Sequence, residues 1–131
     1  MAFHLPPMLH WLCLLLLCAA YLQGGCNKAA DFAGAKAELA QLGLAPAGPL
    51  AGAVMALELG APVLILTGFQ RWLGALALAG FTLLATGMAL RFWTMAPPQR
   101  RTAANAFFEH LGLAGGLLLV AWHDWQGRMH G

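Results

Sequence analysis

The sequence predicts an all-α integral membrane protein: an antiparallel four-helix bundle with a short amphipathic helix at the interface between its first and second spans. Three observations carry that expectation. The 131 residues are 60% hydrophobic and only 9% charged, whereas an ordinary soluble domain is about a quarter charged. Charged residues are missing before Lys28, from Glu38 to Glu58, from Glu58 to Arg71, from Arg71 to Arg91 and from Glu109 to Asp124. A bilayer core about 30 Å thick takes about 20 residues of helix to cross, so each gap is an apolar run of suitable scale or part of one. Finally, Trp11, Trp72, Trp93, Trp122 and Trp125 fall near the ends of those runs, where indole rings settle at the lipid headgroups.

The first span is expected at about 9–26. Its apolar stretch resembles a secretory signal but lacks a basic n-region, and it reads as a retained membrane helix. The following loop holds Ala35-Lys36-Ala37-Glu38-Leu39-Ala40-Gln41-Leu42, an amphipathic segment that Asp31 can cap and Gly43 can end. Such a helix lies along the interface rather than across it. Pro46 and Pro49 start the second span, about 49–69, where a missing N–H costs least. Only Gln70 and Arg71 separate it from the third, about 72–92, so these two form a tight antiparallel hairpin. Pro97 and Pro98 break the next loop, and the fourth span is expected at about 104–122. The whole of 1–131 reads as one membrane domain.

Lys28, Lys36, Arg91, Arg100 and Arg101 share one side of this layout, against Arg71 and Arg128 on the other. The positive-inside rule puts the five in the cytoplasm and both termini outside, periplasmic or extracellular. Ala75, Ala79, Thr82 and Thr86 recur at helical spacing on the third span, and Gly112 and Gly116 form a small-xxx-small pair on the fourth. Both are expected to face the bundle, because helices in lipid associate by close packing of small side chains.

Several function classes drop out. Seven basic residues against five acidic ones cannot form a continuous groove for nucleic acid. No GxGxxG, P-loop, nucleophile elbow or HExxH occurs. Cys13, Cys18 and Cys26 match neither a CxxC pair nor zinc-ligand spacing, and read as small apolar helix residues. His4, His10, His123 and His130 are scattered near the outward ends without the i, i+4 spacing of a helical metal site. No metal site is expected.

Two residues remain as candidates for chemistry. Glu58 sits near the middle of the second span, where an ionised carboxylate facing lipid would cost at least about 2.5 kcal/mol. It must face the interior, find a partner or take up a proton. Its functional meaning is proton handling or a hydrogen bond to a bound redox head group; its structural meaning is a paired carboxylate that holds helices together. His110, about two turns into the fourth span, can change charge near physiological pH. Asn27, Lys28, Arg91 and Glu109 are expected to form a polar cluster on the cytoplasmic side, with anchoring by snorkelling as the structural alternative.

The order of these pieces resembles the DoxX family of small bacterial membrane proteins. The resemblance runs from Asn27-Lys28 and Asp31-Phe32, through Leu42-Gly43-Leu44-Ala45-Pro46 and Ala56-Leu57-Glu58-Leu59-Gly60, to Thr67-Gly68-Phe69-Gln70-Arg71. It resumes at Arg91-Phe92-Trp93 and ends with Asn105 to Leu117. It implies a four-helix membrane bundle associated with redox systems, since the family includes a subunit of thiosulfate:quinone oxidoreductase and relatives linked to thiol oxidative-stress complexes. The expected role is a small accessory subunit of a quinone- or thiol-linked system in the bacterial inner membrane. Quinone is the ligand implied, and lipid and membrane or redox proteins are the partners, with a homo-oligomer as an option. A structural or assembly subunit without chemistry of its own is the alternative, and a small transporter unit built around Glu58 is a third.

Overall fold

The computed structural model describes residues 6–130, the side chain of His130 excepted. His4 and the His130 side chain therefore lie outside the described residues. The order is α1 (Pro7–Ala30), α2 (Phe32–Gln41), α3 (Ala47–Thr67), α4 (Arg71–Ala89), a single 3-10 turn at Phe92–Thr94, and α5 (Gln99–His130). Four of the helices, all but α2, are long and apolar enough to cross a membrane.

Local chemistry sets the boundaries. Pro7 opens α1, with the His10 N–H donating to Pro6 C=O at 2.9 Å. Asp31 is a pivot: its N–H closes α1 on Asn27 C=O at 2.9 Å, and its Oδ1 accepts from Gly34 N–H at 3.0 Å to cap α2. The end of α2 is a Schellman motif, in which Leu44 N–H reaches Leu39 C=O at 3.1 Å and Gly43 N–H reaches Ala40 C=O at 3.0 Å. Gly43 adopts φ +79°, the left-handed conformation that the motif requires. Between α3 and α4 the chain reverses through Gly68 at φ +84° and Gln70 at φ +51°.

The helices that carry the first and fourth spans run beyond the apolar stretches: α1 covers Pro7–Ala30 and α5 covers Gln99–His130. Backbone hydrogen bonding does not stop where lipid stops, and Asp124 with Arg128 at 2.9 Å supports the last turns of α5 as an i, i+4 pair. One expectation needs correcting: of the α5 pair expected to face the bundle, Gly116 is half-buried against Leu17 of α1, but Gly112 is exposed with nothing within 4 Å of where its Cβ would stand, and the buried positions of α5 are Ala103, Ala114, Leu117 and Ala121.

The helices follow one another around the bundle, α1 on α3, α3 on α4 and α4 on α5, with α5 touching α1 only lightly. Cys18 and Tyr21, Ala61 and Ile65, Ala75, Leu78 and Ala79, and Leu117 and Ala121 meet in the core. The α4 stripe of Ala75, Ala79, Thr82 and Thr86 is buried along its length. Gly74 brings α4 directly onto α3, since a Cβ there would lie 2.8 Å from Ala61 C=O. Leu16, Leu84 and Leu119 turn outward, 65–75% exposed, as lipid-facing residues do in a bundle whose packing comes from small side chains.

The start of α1, the end of α5 and the α3–α4 turn gather at one end, hereafter the hairpin end. There Arg71 Nε donates to Ile65 C=O at 2.7 Å, Asp124 Oδ2 accepts from Trp72 N–H at 2.9 Å, and Arg128 Nη2 donates to Gly68 C=O at 3.1 Å. Trp11 Nε1 donates to Leu66 C=O at 3.1 Å. These bonds satisfy carbonyls and an amide that helix ends leave open. Trp72 and Trp125 stack edge to face at 4.9 Å. The opposite end, hereafter the α2 end, carries α2 and an aromatic cluster of Phe92, Trp93, Phe107 and Phe108.

Candidate functional site

Glu58 stands halfway along α3 and is 6% exposed. Pro62 follows four residues later inside the same helix. Proline has no N–H, so the Glu58 carbonyl loses its ordinary helical donor, and the backbone is loosened at the carboxylate. Across from it α1 presents two glycines. A Cβ on Gly24 would lie 2.6 Å from Glu58 Oε2, and one on Gly25 would lie 2.6 Å from two side-chain carbons of Leu59 and 3.4 Å from Glu58 Cβ. The missing side chains are what let α1 close over the carboxylate.

The carboxylate has one ionic partner. Lys28 Nζ is 2.6 Å from Glu58 Oε1, with the lysine side chain one quarter exposed and the glutamate 8% exposed. That ammonium is the partner of Oε1, which has no other donor. Breaking one side of such a pair would leave an uncompensated charge in an apolar setting.

A cavity of about 270 Å³ opens beside this pair. Tyr21 lines it from α1, Glu58 from α3, Thr82 and Thr86 from α4, and His110 from α5. Glu58 and His110, the two residues singled out above, thus share one space. His110 Nδ1 is buried and makes no hydrogen bond. Thr82 Oγ1 donates to Leu78 C=O at 2.7 Å. Its single hydrogen is then spent, so Tyr21 is the donor in the 2.6 Å contact between the two hydroxyls. Tyr21 Oη keeps free acceptor capacity. The wall is mostly apolar, formed by Ala20, Phe81, Ala85, Ala89, Leu90 and Leu113.

Ala20 on α1 and Ala89 on α4 are exposed, while Phe81, Ala85, His110 and Leu113 are half-buried, so the cavity is open to the outside. One way out is the lightly packed seam between α1 and α5. That seam is closed nearer the hairpin end, where a Cβ on Gly116 would meet Leu17 at 3.6 Å and the His10 and His123 rings are 6.1 Å apart.

The expected polar cluster is divided. Asn27 and Lys28 line one polar recess between α1 and α2, together with Asp31 and Glu38. Arg91 is exposed and turns back to Gly87 C=O at 3.3 Å, and Glu109 is exposed on α5. Among the described residues neither forms an ion pair. Cys13 and Cys26 are exposed and Cys18 is buried, all three as free thiols. No group of three or more His, Cys, Asp or Glu among the described residues could hold a metal ion.

Sequence reasoning missed Tyr21 and the second role of Thr82 and Thr86. The signal available was that Tyr21 is the only tyrosine of the chain and lies deep in a span. Buried hydroxyls need partners, and those partners mark a polar interior. Gly24 and Gly25 were likewise visible as a pair, but their contact with Glu58 depends on which faces of α1 and α3 meet.

The DoxX family model matches residues 11–95, well over half of the chain and all but α5 of the membrane bundle. No curated protein matches the chain, and no solved structure does.

Proposed function

This chain belongs to the DoxX family of membrane proteins, and on that premise we propose that it is a small accessory subunit of a redox system in the bacterial inner membrane. Its cavity would seat the head group of a quinone-type molecule. One observation carries the reading: Glu58, a buried carboxylate paired only with the Lys28 ammonium, and His110, whose buried Nδ1 makes no hydrogen bond, line the same space inside an otherwise apolar bundle. A buried imidazole nitrogen left open in this way is rare and calls for an explanation.

A quinone suits these groups chemically. Its ring lies against apolar walls, and its carbonyl oxygens accept hydrogen bonds, as from an imidazole N–H. Reduction to the quinol consumes two electrons and two protons, and a carboxylic acid and an imidazolium can deliver the protons, leaving a carboxylate and a neutral imidazole. The electrons would come from a partner protein. At about 270 Å³ the cavity lies near the lower limit for small-molecule sites, enough for a head group whose tail leaves through the seam between α1 and α5 into lipid.

Orientation follows from charge. Lys28, Lys36, Arg91, Arg100 and Arg101 belong to the α2 end and Arg71 and Arg128 to the hairpin end. The positive-inside rule supports an α2 end in the cytoplasm, with both termini outside.

Glu58→Gln and His110→Gln in native membranes test the reading. Each is expected to reduce quinone-linked electron flow tenfold or more while assembly with partner chains is retained. Unchanged flow would overturn it. Loss of assembly with intact chemistry would assign Glu58 a structural role instead.

A further inference from the structure

The recess at the α2 end is the neighbour of the cavity, separated from it by α1. It measures about 450 Å³, and its walls are polar, with Asn27, Lys28, Asp31 and Glu38 among them. Two features join the two spaces. Gly24 lines the recess, and the absence of its Cβ leaves room for Glu58 Oε2, which would otherwise lie 2.6 Å from that atom. Lys28, one turn further on, lines the recess and reaches Glu58 Oε1 at 2.6 Å. The carboxylate that borders the cavity is therefore also in contact with the wall of the recess.

We infer that this recess is a proton inlet: Glu58 is loaded from water on the α2 side through Lys28, and passes protons to the cavity. The Lys28 ammonium gives one proton to the Glu58 carboxylate, leaving a neutral amine and a neutral acid. The amine takes a proton from water in the recess, and the acid releases its own to an acceptor in the cavity. One proton crosses per cycle and no electron moves. The neutral pair costs little in an apolar setting, whereas two separated charges would cost far more.

The groups around Glu58 favour entry from this side. α1 supplies Lys28, with Tyr21 and Cys18 deeper in the bundle; Asp31 and Glu38 stand across the recess. α3 has no other ionisable residue, α4 offers only the hydroxyls of Thr82 and Thr86, and α5 contributes His110. The inlet rests on Glu58 being the working carboxylate of the proposed function, but not on the identity of the ligand.

Lysine and arginine separate a relay from a structural ion pair, because arginine keeps its charge but does not give up its proton. The full-length protein is reconstituted in vesicles with one orientation. Infrared absorption of the protonated carboxyl, assigned by its loss in Glu58→Gln, is followed after a pH jump on either side. The wild-type band should respond to the jump on the α2 side, and Lys28→Arg should slow that response tenfold or more with helix content unchanged. Lys28→Met, which removes both charge and proton, should slow it at least as much. A response of Lys28→Arg at the wild-type rate, or an equally fast response to a jump at the hairpin end, would overturn the inlet. Failure of quinone binding with the sided response intact would remove the ligand assignment alone, and the reverse result would remove the inlet alone.

Discussion

At the residue scale, the balance between Glu58 and Lys28 decides how the centre of the bundle behaves. Lys28→Met leaves the carboxylate without its ion-pair partner, and is expected to lower stability in a detergent unfolding titration by about 1–3 kcal/mol. Adding Glu58→Gln should recover most of that loss, because the double variant has no unpaired charge; additive losses would show that the two residues do not couple. Gly24→Ala should act differently. Its Cβ would displace the end of a flexible side chain rather than backbone, so the fold should persist while the carboxylate moves and ligand affinity falls. Glu58 was legible in the sequence because a charge in the middle of an apolar run is costly enough to need a reason. Gly24 was not, since glycine is common in this chain and its importance comes only from what lies opposite, and the lone tyrosine, Tyr21, marked a polar interior without marking its partner.

At the element scale, glycine has opposite meanings on α4 and α5. Gly74 brings α4 against the Ala61 carbonyl, and Gly74→Ala should destabilise the α3–α4 contact by about 1–3 kcal/mol through forced separation of the helices. Gly112 meets nothing, and Gly112→Ala should leave stability unchanged or raise it by up to about 1 kcal/mol through helix propensity. Thermal unfolding in one detergent ranks the two, and equal destabilisation would contradict the helix faces described. Sequence spacing alone could not separate them, because a small-xxx-small pair reads the same whether it faces a neighbour or lipid. The extent of α5 was also hidden: charge gaps mark where lipid begins, not where a helix ends.

At the scale of the whole molecule, the four spans and their hairpin were legible because lipid forbids charge over about 20 residues and turn residues punctuate the rest. The cavity was not, because it arises where α1 and α5 part near the α2 end while remaining in contact nearer the hairpin end. Topology can be tested by cysteine labelling in a background without the native thiols. Intact cells should label a cysteine at position 129 with a membrane-impermeant maleimide and leave one at position 101 unlabelled; the opposite pattern would invert the assigned orientation. The most direct test of the shared Glu58 and His110 site is photo-crosslinking of a short-chain azidoquinone to the purified protein in nanodiscs, with the adducts mapped by mass spectrometry. Adducts are expected on the Tyr21, Glu58, Thr82 and His110 wall, reduced tenfold or more in Glu58→Gln with His110→Gln. Adducts confined to the lipid-facing surface, or unchanged in that double variant, would contradict that site.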